Sequence, residues 1–131
     1  MNTESVQQSK MEKEQRTRLE QCKRLNTCAR KGQIVFAGSS LMEFFPVNEL
    51  QQSPGINVCV YNRGVSGYIS EQLLAHMQDL ILDLEPSKLF INIGTNDIGR
   101  GIADQLWSNY QSSASKRQRS HPRRPAVVTR F

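Results

Sequence analysis

The fold is decided by the segment IVFAGSSL, residues 34–41. A short apolar run ends abruptly at Gly38, and a new element begins at Ser39 and Ser40. A buried strand that stops at a tight turn delivers the turn residues to the carboxyl edge of a sheet, where open α/β sheets bind their ligands. A serine at that edge is a candidate nucleophile, because the turn can expose its hydroxyl and a following helix can offer backbone N–H groups to a developing negative charge.

The same arrangement occurs twice more along the chain. Residues 58–61 form a second apolar run that enters a glycine-containing loop, and residues 88–93 form a third. Between these runs, residues 70–84 carry a continuous apolar face at helical spacing, with Ser70 as the predicted N-cap and Pro86 as the stop. Strands that alternate with helices predict βαβ units, and therefore an α/β fold with a parallel sheet that is covered on both faces.

The remaining segments flank this pattern. Residues 4–30 predict one amphipathic helix, residues 41–50 a helical stretch broken at Pro46, and residues 103–110 the opening of another helix. From Gln111 onward the chain is basic, rich in Ser and Pro, and has neither a helical nor a strand period. Two explanations stay open, a natural disordered tail or a sequence read in a shifted frame, and the abrupt change favours the second.

The predicted domains are thus an N-terminal helix over residues 1–30, an α/β core over residues 31–110 and an aberrant or disordered tail over residues 111–131. The tail holds six Lys and Arg and no acid, so it carries the whole excess of the chain's +5 net charge. The body is near neutral, which argues against a dedicated nucleic-acid-binding domain.

Composition limits the class of protein further. At 131 residues, 37% hydrophobic and 22% charged, the chain fits one domain of modest core. It has no apolar run of the ~20 residues that a membrane span needs, and its polar start lacks the apolar region of a signal peptide. Three cysteines without metal spacing predict reduced thiols, and we therefore expect a cytoplasmic protein.

Three residues at the predicted strand ends supply the parts for acyl chemistry. In a parallel sheet these ends share one edge, so Ser40, Gly64 and Asn96 can converge there. A serine nucleophile, a glycine amide and an asparagine side-chain amide are what is needed to attack an acyl carbonyl and hold the oxyanion.

This set, in this order, resembles the SGNH (GDSL-type) hydrolase family. The Gly-Asp-Ser-Leu block of the family resembles residues 38–41, with Ser39 in place of the aspartate, and its second block is matched by Gly64. Its third block, Gly-x-Asn-Asp, matches residues 94–97 without departure. Any one block is a weak signal, whereas three in order at strand ends are a strong one.

The resemblance implies a flavodoxin-like three-layer α/β/α sandwich of about five parallel strands, of which this chain supplies three. It implies a serine esterase that acts on carboxylic esters such as lysophospholipids or short acyl esters. Ser40 is then the nucleophile, and the Ser40 and Gly64 amides with the Asn96 side chain form the oxyanion hole. Asp97 is expected to be a structural partner of the loops. No metal or organic cofactor is implied.

The fourth block of the family, Asp-x-x-His, does not occur in these 131 residues. It would supply the general base and the carboxylate that orients it. His76 is expected to be a partly buried helix residue and His121 a solvated tail residue, so neither replaces that base. A serine without a base is a poor nucleophile at neutral pH, and we therefore expect the chain as written to be nearly inactive.

Two other classes of function stay open. A non-catalytic remnant with three strands would leave an apolar sheet edge open, which predicts self-association. The basic tail could attract nucleic acid only in an unspecific, salt-sensitive way, because no aromatic residues are interleaved with its charges. Arg63 and Arg100 flank the carboxyl edge of the predicted sheet, and we interpret both as solvated surface charges. Core packing is favoured for the large apolar residues Leu41, Phe44, Phe45 and Trp107.

Overall fold

We describe the fold from a computed structural model, which covers residues 2–120 and residue 122. Its centre is a three-stranded parallel sheet of β1 (Ile34–Gly38), β2 (Val60–Gly64) and β3 (Lys88–Asn92), in the order β2-β1-β3. This confirms the predicted α/β class with a parallel sheet. The predicted second strand lay a few residues too early, because Val58 is half exposed and the ladder extends instead through the glycine block.

Helices connect and cover these strands. The described residues form seven α-helices, and two short 3-10 helices at Leu82–Leu84 and Ala103–Gln105. The α-helices, in chain order, are α1 (Thr3–Asn26), α2 (Ser40–Glu43), α3 (Val47–Gln51), α4 (Ser70–Ala75), α5 (Met77–Leu80), α6 (Thr95–Gly99) and α7 (Leu106–Ser120). The predicted break at Pro46 is confirmed, since this residue separates α2 from α3.

The main core lies on one face of the sheet. Alternation along β1 and β3 turns one set of side chains to this face, where Val35, Ala37, Leu89 and Ile91 are buried. Leu19 and Cys22 of α1 join the same cluster, so the N-terminal helix is packed into the core. The segment between β2 and β3 contributes further residues to the cluster, among them Leu73, Met77, Leu80, Ile81 and Leu84.

The opposite face is less covered. Phe36 of β1 packs against Phe90 of β3 and Phe45, with ring centroids 5.4 Å and 5.9 Å apart. Phe36 and Phe90 nevertheless remain only half-buried. Within residues 2–120, β3 pairs with β1 alone. The described part of the chain is therefore a mixed α/β core consistent with a partial flavodoxin-like fold.

The single helix predicted over residues 70–84 is wrong. The chain leaves helical geometry at His76 and again at Ile81, which gives α4, α5 and a 3-10 turn. Its apolar residues still face the core, so burial against the sheet decides the path where local propensity predicts one straight helix. Ser70 is the first helical residue and Ile69 the cap, because the Ser70 hydroxyl is used elsewhere.

The predicted end of the last helix near Tyr110 is also wrong. Helix α7 continues to Ser120 and packs against α4. Polar side chains occupy its inner positions: Ser113 and Arg117 are buried, and Arg117 donates to the carbonyl oxygen of Pro86. A helix whose buried face is polar has no apolar period, which is why the sequence did not indicate it.

The rest of the predicted tail, including His121, lies outside the described residues. Whether the segment from Gln111 is natural or frameshifted stays a prediction.

Four large apolar residues near the carboxyl edge of the sheet are not in the core. Leu41 and Phe44 are 63% and 73% exposed, Trp107 is 53% exposed and Phe45 is 42% exposed. The expectation of core packing was therefore wrong for all four. For Leu41 the reason is the short helix α2, whose four residues turn Met42 into the core and leave Leu41 outside.

Candidate active site

The sheet register brings the three motif turns together. Gly38, the last residue of β1, is paired with Gly64 on one side and Asn92 on the other. Two further backbone hydrogen bonds continue the strand pairing by one residue. Val65 N–H donates to Gly38 O at 2.9 Å, and Ser39 N–H donates to Asn92 O at 3.2 Å. The turns after β1, β2 and β3 therefore leave the sheet side by side at its carboxyl edge.

Ser40 is the first residue of α2 and is half-buried. The Ser39 carbonyl accepts from Met42 N–H at 3.1 Å and from Glu43 N–H at 2.9 Å. The N–H of Ser40 comes before these donors along the chain. The first N–H groups of a helix have no acceptor within the helix. A hydroxyl and a backbone donor of one residue thus lie together at the end of the central strand.

Gly64 is held tightly between two elements. A Cβ added there would lie 2.7 Å from the Cα of Glu43 and closer still to its backbone nitrogen, so only glycine fits. Its N–H donates to Oδ1 of Asn62 at 2.9 Å. The amide that the family resemblance assigns to the oxyanion hole is therefore engaged within the protein here, and that role of Gly64 stays a prediction.

Asn96 is the second residue of α6, directly after β3. Its side-chain Nδ2 donates to the carbonyl oxygen of Tyr68 at 2.9 Å, which fixes the orientation of the amide. An asparagine amide nitrogen carries two N–H groups, so this bond uses only one of them. The turn before it contains Gly94 at φ +128°, a conformation that side chains other than glycine rarely adopt.

Asp97 has the structural role that was expected of it. It is 2% exposed, and its carboxylate accepts from Ser70 N–H at 2.9 Å and from the Ser70 hydroxyl at 2.6 Å. Asn109 of α7 donates to the same hydroxyl at 2.8 Å. The carboxylate therefore ties the turn after β3 to the start of α4. Neither Ser70 nor Asn109 is predictable from the sequence as a partner of Asp97, because both are distant along the chain.

A tyrosine closes the end of β3. The hydroxyl of Tyr110 donates to Ile93 O at 2.5 Å and accepts from Ile93 N–H at 3.1 Å. The two hydrogen bonds satisfy the backbone groups of Ile93, the residue just before the 94–97 motif, as a neighbouring strand would do. The sequence placed Tyr110 at the end of a helix and indicated no such role.

The interpretation of Arg63 as a surface charge was wrong. It is 3% exposed, its Nε donates to Oδ1 of Asn26 at 2.9 Å, and it lies 5.5 Å from the ring centroid of Tyr61. Burial lowers the pKa of this guanidinium from its ordinary value. Arg63 therefore joins β2 to α1, whereas Arg100 is exposed as expected.

His76 is half-buried at the junction of α4 and α5, and its ring stacks on Tyr68 at 6.1 Å. The expected partial burial is confirmed, whereas the expected position within a helix is wrong, because His76 is the turn residue that separates α4 from α5. Among the described residues no group of three or more His, Cys, Asp and Glu side chains could hold a metal ion. No helix in that part of the chain is long and apolar enough to cross a membrane.

Tyr68 provides a pH-dependent test of the packing behind Asn96. Burial raises its pKa to about 12, so the folded state retains the phenolic proton at a pH where the unfolded chain, with a pKa near 10, loses it. The stabilisation is complete below about pH 10 and is lost as the pH rises toward 12. We expect the free energy of unfolding, measured in urea, to fall between pH 9 and pH 11.5 more steeply for the natural chain than for Tyr68→Phe. Equal slopes would show that Tyr68 is not buried as described.

Comparison with known proteins identifies the architecture. No protein-family model matches the chain, and no curated protein matches it significantly. Solved structures do match. A protein described as a platelet activating factor from Streptococcus pneumoniae is 27% identical, with a TM-score of 0.80 over 98% of this chain and 60% of that one. A protein described as an acylhydrolase from Bacteroides fragilis is 23% identical, with a TM-score of 0.70 over 84% of this chain and 55% of that one.

A GDSL-like lipase from Bacteroides thetaiotaomicron is similar at 21% identity, with a TM-score of 0.70 over 84% of this chain and 56% of that one. The chain is therefore related in fold to the SGNH hydrolases. It spans between 55% and 60% of the length of these three structures. The mixed α/β core described above is accordingly a partial version of that fold.

Proposed function

We propose that this chain carries the nucleophile side of an SGNH-type serine esterase, with Ser40 as the nucleophile. The observation that supports this best is the register of Gly38 with Gly64 and Asn92, which brings the turns bearing Ser40, Gly64 and Asn96 to one edge. The fold relationship to lipases and acylhydrolases agrees with it.

In the proposed reaction the Ser40 hydroxyl oxygen attacks the carbonyl carbon of an ester. A C–O bond forms, the carbonyl electrons move onto oxygen, and the hydroxyl proton passes to a base from the solution, because these 131 residues contain no Asp-x-x-His block. The resulting oxyanion accepts from the Ser40 N–H and from the second N–H of the Asn96 amide. The Gly64 N–H would join them only after exchanging its bond to Asn62. Collapse expels the alcohol, and water then hydrolyses the acyl-serine.

The expected substrates are small carboxylic esters, such as lysophospholipids or short acyl esters, and the expected compartment is the cytoplasm. The reaction as proposed uses protein groups alone. The names of the similar structures, acylhydrolase and lipase among them, agree with an acyl ester as the common substrate.

The missing Asp-x-x-His block limits turnover by these 131 residues. In serine hydrolases, loss of the histidine costs on the order of a millionfold in turnover, and roughly 10³–10⁴ over water remains from the oxyanion hole and binding. We therefore expect hydrolysis of p-nitrophenyl acetate by the purified chain to lie close to that of Ser40→Ala. Rapid turnover that Ser40→Ala abolishes would contradict the proposed impairment and direct attention to His76 and His121.

The alternative is a non-catalytic remnant or interaction module that retains part of the fold. Among residues 2–120 β3 pairs with β1 alone, and this open edge supports the alternative. Self-association through the β3 edge is its expected consequence. Light scattering of the purified chain tests it: a concentration-dependent increase in mass supports association, and a constant monomer mass contradicts it.

A further inference from the structure

We propose that Arg18 of α1 is a positioning residue for the candidate active site, which it serves by holding the backbone at Asn62 and Gly64. This inference rests on the proposed function, because the position of Gly64 matters for chemistry only if Ser40 is the nucleophile. Under this proposal the N-terminal helix contributes a positioning residue to the carboxyl edge of the sheet, although the sequence predicted a separate segment.

The contacts of Arg18 are directed at the end of β2. Its Nε donates to Gly64 O at 3.0 Å, and a second guanidinium nitrogen donates to Asn62 O at 3.2 Å. Among the described residues β2 pairs with β1 alone, and these two carbonyls face away from that pairing. Asn62 O also accepts from Nη1 of Arg63 at 3.0 Å. The contribution specific to Arg18 is that its guanidinium bridges this carbonyl to Gly64 O.

Glu43 links the same guanidinium to the nucleophile helix. It lies three residues after Ser40, and its carboxylate is 3.5 Å from Arg18 Nε, with the two side chains only 19% and 20% exposed. The carboxylate also accepts from Ser66, from the N–H at 3.3 Å and from the hydroxyl at 3.0 Å. Helix α2, the loop after β2 and helix α1 therefore meet at one partly buried ion pair.

Asn62 carries the effect of Arg18 to the Gly64 amide. Its Nδ2 donates to Met42 O at 2.7 Å and to Glu43 O at 3.1 Å, while its Oδ1 accepts from Gly64 N–H. The Asn62 carbonyl is held by Arg18 and Arg63, and the Asn62 side chain is held by the backbone of α2. A shift of this residue would move the Gly64 N–H relative to Ser40.

Lysine cannot replace arginine in this arrangement. The contacts use several donors of a planar fork toward two carbonyl oxygens, whereas an ammonium is a compact point charge. Arg18→Lys keeps the charge opposite Glu43 and loses the fork geometry. It therefore separates the positioning role from a simple ion pair.

The test measures modification of Ser40 by a p-nitrophenyl alkylphosphonate in the full 131-residue chain. The serine oxygen forms a bond to phosphorus, p-nitrophenolate leaves, and the proton passes to the buffer. We expect Arg18→Met and Arg18→Lys to slow the Ser40-dependent modification between about 10- and 100-fold, because small misplacement of reacting groups has effects of this size. The matched control is Arg16→Met, since Arg16 lies on the same helix and is exposed.

A spectroscopic measurement accompanies the rates. The amide resonances of Gly64 and Val65, observed by ¹⁵N NMR, should move in both Arg18 variants and stay in place in Arg16→Met. The proposal would be overturned if Arg18→Met were modified as fast as the natural chain. It would also be overturned if Arg18→Lys were modified as fast as the natural chain and its Gly64 and Val65 amide resonances did not move. If the natural chain is modified no faster than Ser40→Ala, the proposed function fails instead, and the Gly64 and Val65 resonances alone then decide on Arg18.

Discussion

Replacing Gly38 by alanine is expected to prevent the chain from folding. Gly38 has φ +149°, and a Cβ built on it would overlap the Asn92 carbonyl oxygen and lie 2.8 Å from the Asn92 carbonyl carbon. The obstacle is backbone of β3, so no side-chain rotation can relieve it. Because the overlap occurs where β1 and β3 are paired, we expect a loss of about 4 kcal/mol or more, which approaches the whole stability of a small domain.

Soluble expression and thermal unfolding followed by circular dichroism check this expectation. Gly99→Ala is the matched control, because nothing lies within 4 Å of a Cβ at that helical position. It should unfold like the natural chain. A Gly38→Ala protein with a cooperative transition near that of the control would contradict the described pairing of β1 with β3.

The second large effect is expected for Asp97→Ala. This carboxylate accepts from both the N–H and the hydroxyl of Ser70, and the site is 2% exposed. Alanine would leave two buried donors without their acceptor, each at a cost of about 1–3 kcal/mol. We therefore expect the free energy of unfolding to fall by about 3 kcal/mol.

Urea unfolding of Asp97→Ala measures that loss. Asp104→Ala is the control, since Asp104 is exposed in the 3-10 helix Ala103–Gln105 that follows α6. The control should change stability by no more than about 0.5 kcal/mol. If the two variants unfold at the same urea concentration, Asp97 does not link the turn after β3 to α4.

The elements closest to the candidate site are the ones that the sequence predicts best. The apolar run 34–38 and the two runs after it are short and bounded by turn residues, so their type and their common edge follow from pattern alone. The expectation that Asp97 is structural is confirmed by its contacts with Ser70. The catalytic roles of Ser40, Gly64 and Asn96 stay predictions.

The features that the sequence does not predict depend on distant contacts. Arg63 reads as a surface charge until α1 is packed against β2, and Ser113 and Arg117 read as a tail until α7 is packed beside α4. Tyr110 is separated by 17 residues from the strand end that it closes. The spacing of apolar residues along the sequence predicts which apolar side chains are buried. It does not predict these contacts, because they are made by polar side chains.

The arrangement of Arg18, Glu43 and Asn62 belongs to the same group. Each residue is ordinary in its local segment, and their connection appears only when α1, α2 and β2 are brought together. A site of this kind is assembled by tertiary structure. The contacts of Arg18 join the N-terminal helix to the sheet edge at which the three sequence blocks predict the chemistry.

The central claim is that Ser40 is the nucleophilic residue at this edge, and covalent labelling tests it most directly. The purified chain would be incubated with a p-nitrophenyl alkylphosphonate and analysed by intact mass and peptide mapping, beside Ser40→Ala and Ser39→Ala. Ser39 is the matched control because it is the adjacent serine and is buried. We predict slow labelling confined to Ser40, absent in Ser40→Ala and retained in Ser39→Ala. Labelling that persists in Ser40→Ala, or that follows Ser39, would contradict the account.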